Sequence, residues 1–160
     1  MIVRRATPAD AAALAELGAR TFIDAFGAQN RAEDIDAYVK ATYGVAQQLR
    51  EIDDTLVVED EGALIAFAQL YRSDSPHGDV ELGRFYVDSA HHGRGIAQAL
   101  MDAALAAARN LGGRKLWLGV WEHNPRGIRF YEKCGFVDVG SQPFRIGSDV
   151  QTDRVMTIML

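Results

Sequence analysis

Val80-Glu81-Leu82-Gly83-Arg84-Phe85-Tyr86-Val87, followed after four residues by His92-Gly93-Arg94-Gly95-Ile96-Ala97, governs the reading of the whole 160-residue chain. The first run alternates as a strand does, with Glu81, Gly83, Phe85 and Val87 on one side and Val80, Leu82, Arg84 and Tyr86 on the other. The second opens a helix. Ile96, Ala97, Leu100, Met101, Ala104, Leu105, Ala108 and Leu111 recur at helical spacing until Gly112-Gly113 ends it. Lys115–Trp121 then reads as another strand. Strand, helix and strand with short connections make a βαβ unit, whose strands are parallel and whose crossover is right-handed. Glycines in the strand-to-helix turn let the backbone pass close to a ligand, and the unpaired N–H groups of the first helical turn point at it. The macrodipole adds attraction for negative charge, so the turn suits a pyrophosphate. Neither Gly-x-x-x-x-Gly-Lys-[Ser/Thr] nor Gly-x-Gly-x-x-Gly is present, position 98 being Gln98, and taken alone the turn is a weak signal that reads more readily as plain turn chemistry.

Outward from this unit, Ile2–Arg5 reads as a first strand. Thr7-Pro8-Ala9-Asp10 opens a helix, with Thr7 as N-cap, Pro8 at the first helical position and Asp10 returning to the cap. Leu14, Leu17 and Gly18 lie on its core face. Residues 21–43 mix aromatic and acidic residues, with a helix expected from about 31 to 42. Thr55–Glu59 and Ala63–Tyr71 form a hairpin across Asp60-Glu61-Gly62, and Ser73–Gly78 is a turn. Asn124-Pro125 starts a last helix through Lys133, closed by Gly135, with strands near 136–139 and 153–160. No repeat or linker divides the chain, so one domain, 1–160, is expected.

Phe85-Tyr86-Val87, His92-x-x-Gly95-x-Ala97, Asn124-Pro125 and Phe130-Tyr131-Glu132-Lys133-x-Gly135-Phe136 together resemble the GNAT superfamily of N-acetyltransferases. The match runs from about Glu81 to Phe136, and His92 departs from the superfamily's usual Gln or Arg. The resemblance implies an α/β (α+β) fold: a mixed, mostly antiparallel sheet of six to seven strands, helices on both faces, and a parallel, splayed βαβ pair at the cofactor site. It implies acetyl-CoA as cosubstrate, with pantetheine along Phe85, Tyr86 and Val87 and pyrophosphate on His92, Gly93, Arg94, Gly95, Ile96 and Ala97. Asn124 would reach pantetheine from the other side, and Arg126, Arg129 and Lys133 are further phosphate candidates. Tyr131 matches the usual general acid, since a phenol of pKa about 10 is suited to giving its proton to a thiolate. Glu81 stands where several members carry a general base, on the face of Phe85 and Val87 unless a bulge intervenes. Direct attack on the thioester needs no enzyme nucleophile, so Cys134 is read as a packing residue.

Trp117-Leu118-Gly119-Val120-Trp121-Glu122-His123-Asn124-Pro125 and Phe144-x-x-Gly147-x-x-x-Gln151-Thr152-Asp153-x-x-Met156 further resemble the PaiA-type branch, associated with spermidine and spermine acetylation. A polycation wants carboxylates along a groove and aromatic faces for cation–π contact. Asp24, Glu33, Asp34 and Glu122, with Phe22, Phe26, Tyr38 and Trp121, are the expected acceptor-binding set. The alternatives are acetylation of a protein or peptide amino group, and a noncatalytic acyl-CoA-binding module.

Composition bounds the same reading. Net charge is −5, which argues against nonspecific nucleic-acid binding. Residues 1–90 carry 8 basic and 16 acidic residues, and residues 91–160 carry 9 and 6. A cationic ligand on the first part and an anionic one on the second would account for that split, as would ordinary solvated faces. A single cysteine excludes an internal disulfide framework, and no apolar run approaches a membrane span. The four histidines lack metal-ligand spacing, so no metal is expected. The expected setting is the cytoplasm and the expected partner a small cationic amine; apolar strand edges such as 155–160 would suit a homodimer.

Overall fold

The computed structural model describes all 160 residues, Met1–Leu160. Seven strands form one sheet: β1 (Ile2–Arg5), β2 (Thr55–Asp60), β3 (Ala63–Arg72), β4 (Val80–Val87), β5 (Lys115–Trp121), β6 (Val137–Ile146) and β7 (Asp149–Met159). Their order is β1-β2-β3-β4-β5-β7-β6, and every neighbouring pair is antiparallel except β4 and β5. Five helices cover the sheet: α1 (Ala11–Phe26), α2 (Ala32–Thr42), α3 (Val45–Arg50), α4 (Ile96–Asn110) and α5 (Pro125–Cys134). None is long and apolar enough to cross a membrane.

Two apolar clusters mark the two faces of the sheet. One packs Leu100, Met101 and Ala104 of α4 against Val58, Ala68, Leu82, Leu118 and Met156. The other packs Leu14, Leu17 and Phe22 of α1, with Ile35 and Tyr43, against Val57, Phe67 and Trp121. Period-2 alternation of apolar residues on both sides of β2 and β3 produces this arrangement, because each side then has a layer of helices to bury it. Asp10 accepts from the Thr7 N–H at 2.7 Å, as the capping pattern requires, although the first turn is a 3-10 turn over Pro8–Asp10.

Three expectations change. α3 has no counterpart in the sequence reading. The last two strands are longer than expected and form a hairpin that turns at Gly147 and Ser148. Asp34 holds that turn: it accepts from Ser148 N at 3.1 Å, Ser148 Oγ at 3.0 Å and Arg31 Nε at 3.0 Å. Finally, strict alternation fails inside β4. Leu70 pairs with Leu82 but Gln69 pairs with Arg84, so Gly83 is an extra residue. The bulge reverses the faces: Leu82, Phe85 and Val87 point to the α4 side, while Glu81 stays with Arg84 and Tyr86 on the α1 side.

The parallel pair is brief. β4 and β5 are in register only at Val80–Leu116 and Glu81–Trp117. Beyond those residues they diverge, leaving the β5-facing edge of β4 without a strand partner from Leu82 to Val87. That opening positions the site.

Candidate active site at the splayed strands

A cavity of about 690 Å³ lies on the open side of the fork. Its walls include Phe85, Tyr86 and Val87 of β4, the turn His92, Gly93, Gly95, the first residues of α4 (Ile96, Ala97, Gln98), and Asn124, Arg126, Tyr131 and Lys133 around α5. Gly93 and Gly95 hold φ of +82° and +75°, a region that costs a side-chain-bearing residue roughly 1–2 kcal/mol. A Cβ at either would meet no protein atom within 4 Å, so the turn faces open space. No side chain caps α4, so the amides at its N-terminus are left for a ligand. Asn124 caps α5 by accepting from Gly127 N at 3.0 Å, which leaves its Nδ2 for the cavity. His92 turns back, its Nε2 lying 3.0 Å from the Val87 carbonyl oxygen, and so ties the turn to the end of β4.

These features fit coenzyme A: an uncapped helix N-terminus and two cations for phosphates, and an unpaired strand edge for an amide-bearing arm. Eleven of the thirteen cofactor-binding residues expected from the sequence line this cavity. Arg94 does not; its Nη2 pairs with Asp60 at 3.2 Å on the far side of the turn. Arg129 is also outside the lining. Cys134 lies outside both cavities and packs against the core, with burial pushing its thiol pKa up.

A second cavity, about 350 Å³, occupies the fork itself between Leu82–Tyr86 and Leu118–Trp121. It shares Ala25, Phe85, Tyr86, Asn124 and Tyr131 with the first. Tyr131 therefore stands where the two meet. Its ring packs against Phe85, Phe130 and Phe136, and burial pushes its phenol above the usual value, so the proton is held at neutral pH.

Only part of the expected acceptor set gathers at this second cavity. Phe26, Tyr38 and Trp121 line it. Phe22 is buried beneath, stacked on Tyr38 with centroids 4.3 Å apart. Asp24 lines the coenzyme cavity instead. Glu33 is exposed on α2, Asp34 is occupied by the hairpin turn, and Glu122 is exposed beside His123. The carboxylates thus do not form the expected groove, because helix and hairpin packing take them elsewhere. Glu81 sits at the closed end of the fork, opposite Trp117 and outside both linings; burial raises its carboxyl and nearby Arg84 lowers it.

Arg84 and Tyr43 were missed, and Phe144 and Asp153, quoted only within the PaiA-type run, were not assigned to acceptor binding. Arg84 donates to Glu51, Gln69 and Tyr71 and lies 5.5 Å over the Tyr43 ring, so its charge is answered within the wall. Asp153 is the one carboxylate in the lining. An acid in phase with the inward positions Val155 and Thr157 of a strand was the available signal.

The acetyltransferase (GNAT) family profile matches residues 13–136. An uncharacterized N-acetyltransferase of Mycobacterium tuberculosis is 37% identical over 151 residues, covering 92% of this chain and 96% of that protein. A spermidine N(1)-acetyltransferase of Vibrio cholerae is 34% identical over 107 residues, 64% of this chain and 61% of that protein. Among solved structures, the PaiA N-acetyltransferase of Thermoplasma acidophilum in complex with coenzyme A has a TM-score of 0.84 at 21% identity, covering 99% of this chain and 98% of that one.

Proposed function

This chain belongs to the acetyltransferase (GNAT) family and is an acetyl-CoA-dependent N-acetyltransferase, and we propose that its acceptor is the primary amine of a small cation of the spermidine or spermine type. The meeting of two cavities at Tyr131 carries the reading, since it gives donor and acceptor separate entries to one phenol. Likeness to a spermidine acetyltransferase supports the acceptor class, as do the aromatic walls Phe26, Tyr38, Trp121 and Phe144, which suit an ammonium on an alkyl chain.

Acetyl-CoA supplies an acyl group activated as a thioester. The amides opening α4, with Arg126 and Lys133, hold its phosphates. Free N–H groups of β4 near Phe85–Val87 orient the arm and polarise the acyl oxygen, which disperses charge where it develops. Asn124 Nδ2 steadies the arm from α5. Tyr131 Oη keeps its proton where the two cavities meet and would give it to the sulfur leaving the thioester, contributing on the order of 10²–10⁴-fold.

Thiol release over a panel of spermidine, spermine, n-butylamine, an aminoglycoside and a lysine peptide tests the acceptor. Spermidine or spermine is expected to give the highest kcat/KM. The polyamine reading goes if neither exceeds n-butylamine; preference for the peptide would redirect the function to protein amino groups.

A further inference from the structure

We infer that Asp153 anchors the acceptor's ammonium group and takes the proton that must leave it before attack. The inference rests on the amine-acetylating function proposed above and assigns the acceptor side a residue on β7. Asp153 is 8% exposed, yet no hydrogen bond or ion pair engages its carboxylate within the protein. In register it stands between Trp121 of β5 and Gln142 of β6, on the cavity face of the sheet. Gly119, two residues before Trp121, makes its room: a Cβ there would come within 2.8 Å of Asp153 Oδ2. A carboxylate in such a place is largely desolvated with no partner inside the protein, and a cationic ligand entering the cavity supplies one.

Charge bookkeeping in the cavity agrees. Arg84 is matched by Glu51, so the charge left facing the space is that of Asp153. The remaining titratable groups around it are His123, Tyr38, Tyr43, Tyr86 and Tyr131. Burial alone pushes the Asp153 carboxyl up to about 6. It is therefore ionised at neutral pH, and a better acceptor by about two pKa units than an ordinary aspartate. In the step assigned to it, one ammonium N–H bond breaks and an O–H bond forms on Asp153. The electron pair stays on nitrogen and the carboxyl becomes neutral. Glu81, at the closed end of the fork, is not needed for this transfer.

The test compares wild type with Asp153→Asn and Asp153→Glu, each checked by a circular-dichroism melt, with two readouts. Calorimetric titration of n-butylamine into CoA-saturated protein at pH 7.5 should show binding at least about tenfold weaker in D153N. Turnover on the best amine of the panel should fall at least about 10²-fold in kcat/KM, with partial recovery in D153E. The pH profile of kcat/KM should rise through about 6 to a plateau in wild type. In D153N it should instead climb with the free amine fraction towards an alkylammonium pKa of about 10. Butylamine binding equal in wild type and D153N, or absent from both, overturns the inference, as does an unchanged profile in a folded, active D153N. Absence of turnover by wild type on every amine would sink the proposed function, and the titration would still decide Asp153.

Discussion

Asparagine at position 153 should make the protein more stable at pH 8 even as it disables amine handling. Burial holds the Asp153 carboxyl near 6, against 3.8 for the ordinary group. Between those values the native state binds more protons than the unfolded chain, so stability falls as pH rises from about 4 to about 6 and stays reduced above it. A two-unit shift corresponds to about 3 kcal/mol. The asparagine carboxamide bears the same polar-burial cost as the neutral acid but escapes the charge penalty, which access to solvent through the cavity screens to about 2 kcal/mol. The net gain is about 2 kcal/mol at pH 8, or roughly 4–8 °C in Tm for a chain of this length, shrinking towards zero at pH 4. Differential scanning calorimetry of both proteins at pH 4, 6 and 8 measures it. A D153N Tm below wild type at pH 8, or a difference independent of pH, would show that the carboxylate is already satisfied inside the protein. The uncompensated charge on which its role depends would then not exist.

Other parts of the site give separable outcomes. Tyr131→Phe should lower kcat by about 10²–10⁴-fold while leaving CoA affinity, read by calorimetry, within about twofold. Gly95→Ala forces a left-handed φ on a residue with a Cβ and should weaken CoA binding with little change in the amine KM. Glu51→Gln leaves Arg84 without its counter-charge beside the acceptor cavity; a loss of about 3 kcal/mol in denaturant unfolding and a higher amine KM are expected. Asp34→Ala unties the hairpin turn and should lower Tm without altering the spermidine KM, because its carboxylate faces Ser148 and Arg31 rather than the cavity.

The coenzyme side was far more legible in the sequence than the acceptor side. A strand, a glycine turn and a helix are contiguous, so local spacing alone places Phe85–Val87 beside Gly95 and Ile96. The acceptor cavity is assembled from α1, α2, β4, β5, α5, β6 and β7, and no local pattern reports which side chains meet there. Asp34 and Glu33 are adjacent acids on α2, yet one is locked to a turn more than a hundred residues away and the other faces solvent. The bulge at Gly83 shows the same limit. Alternation predicts Glu81 on the face of Phe85, and one extra residue in β4 reverses it. The charge division also acquires a narrower meaning: Arg126 and Lys133 from the basic part reach the coenzyme cavity, whereas the acceptor cavity's carboxylate belongs to that same part of the chain.

The proposed reaction is acetyl transfer at the junction of the two cavities. Its most direct measurement is mass spectrometry of the amine after incubation of wild type or Tyr131→Phe with acetyl-CoA and spermidine or spermine, with thiol release followed in parallel. One acetyl group on a primary nitrogen, formed one-for-one with free CoA by wild type and at least about 10²-fold more slowly by the variant, is the expected result. Thiol release without an acetylated amine, or equal rates for the two proteins, would contradict it.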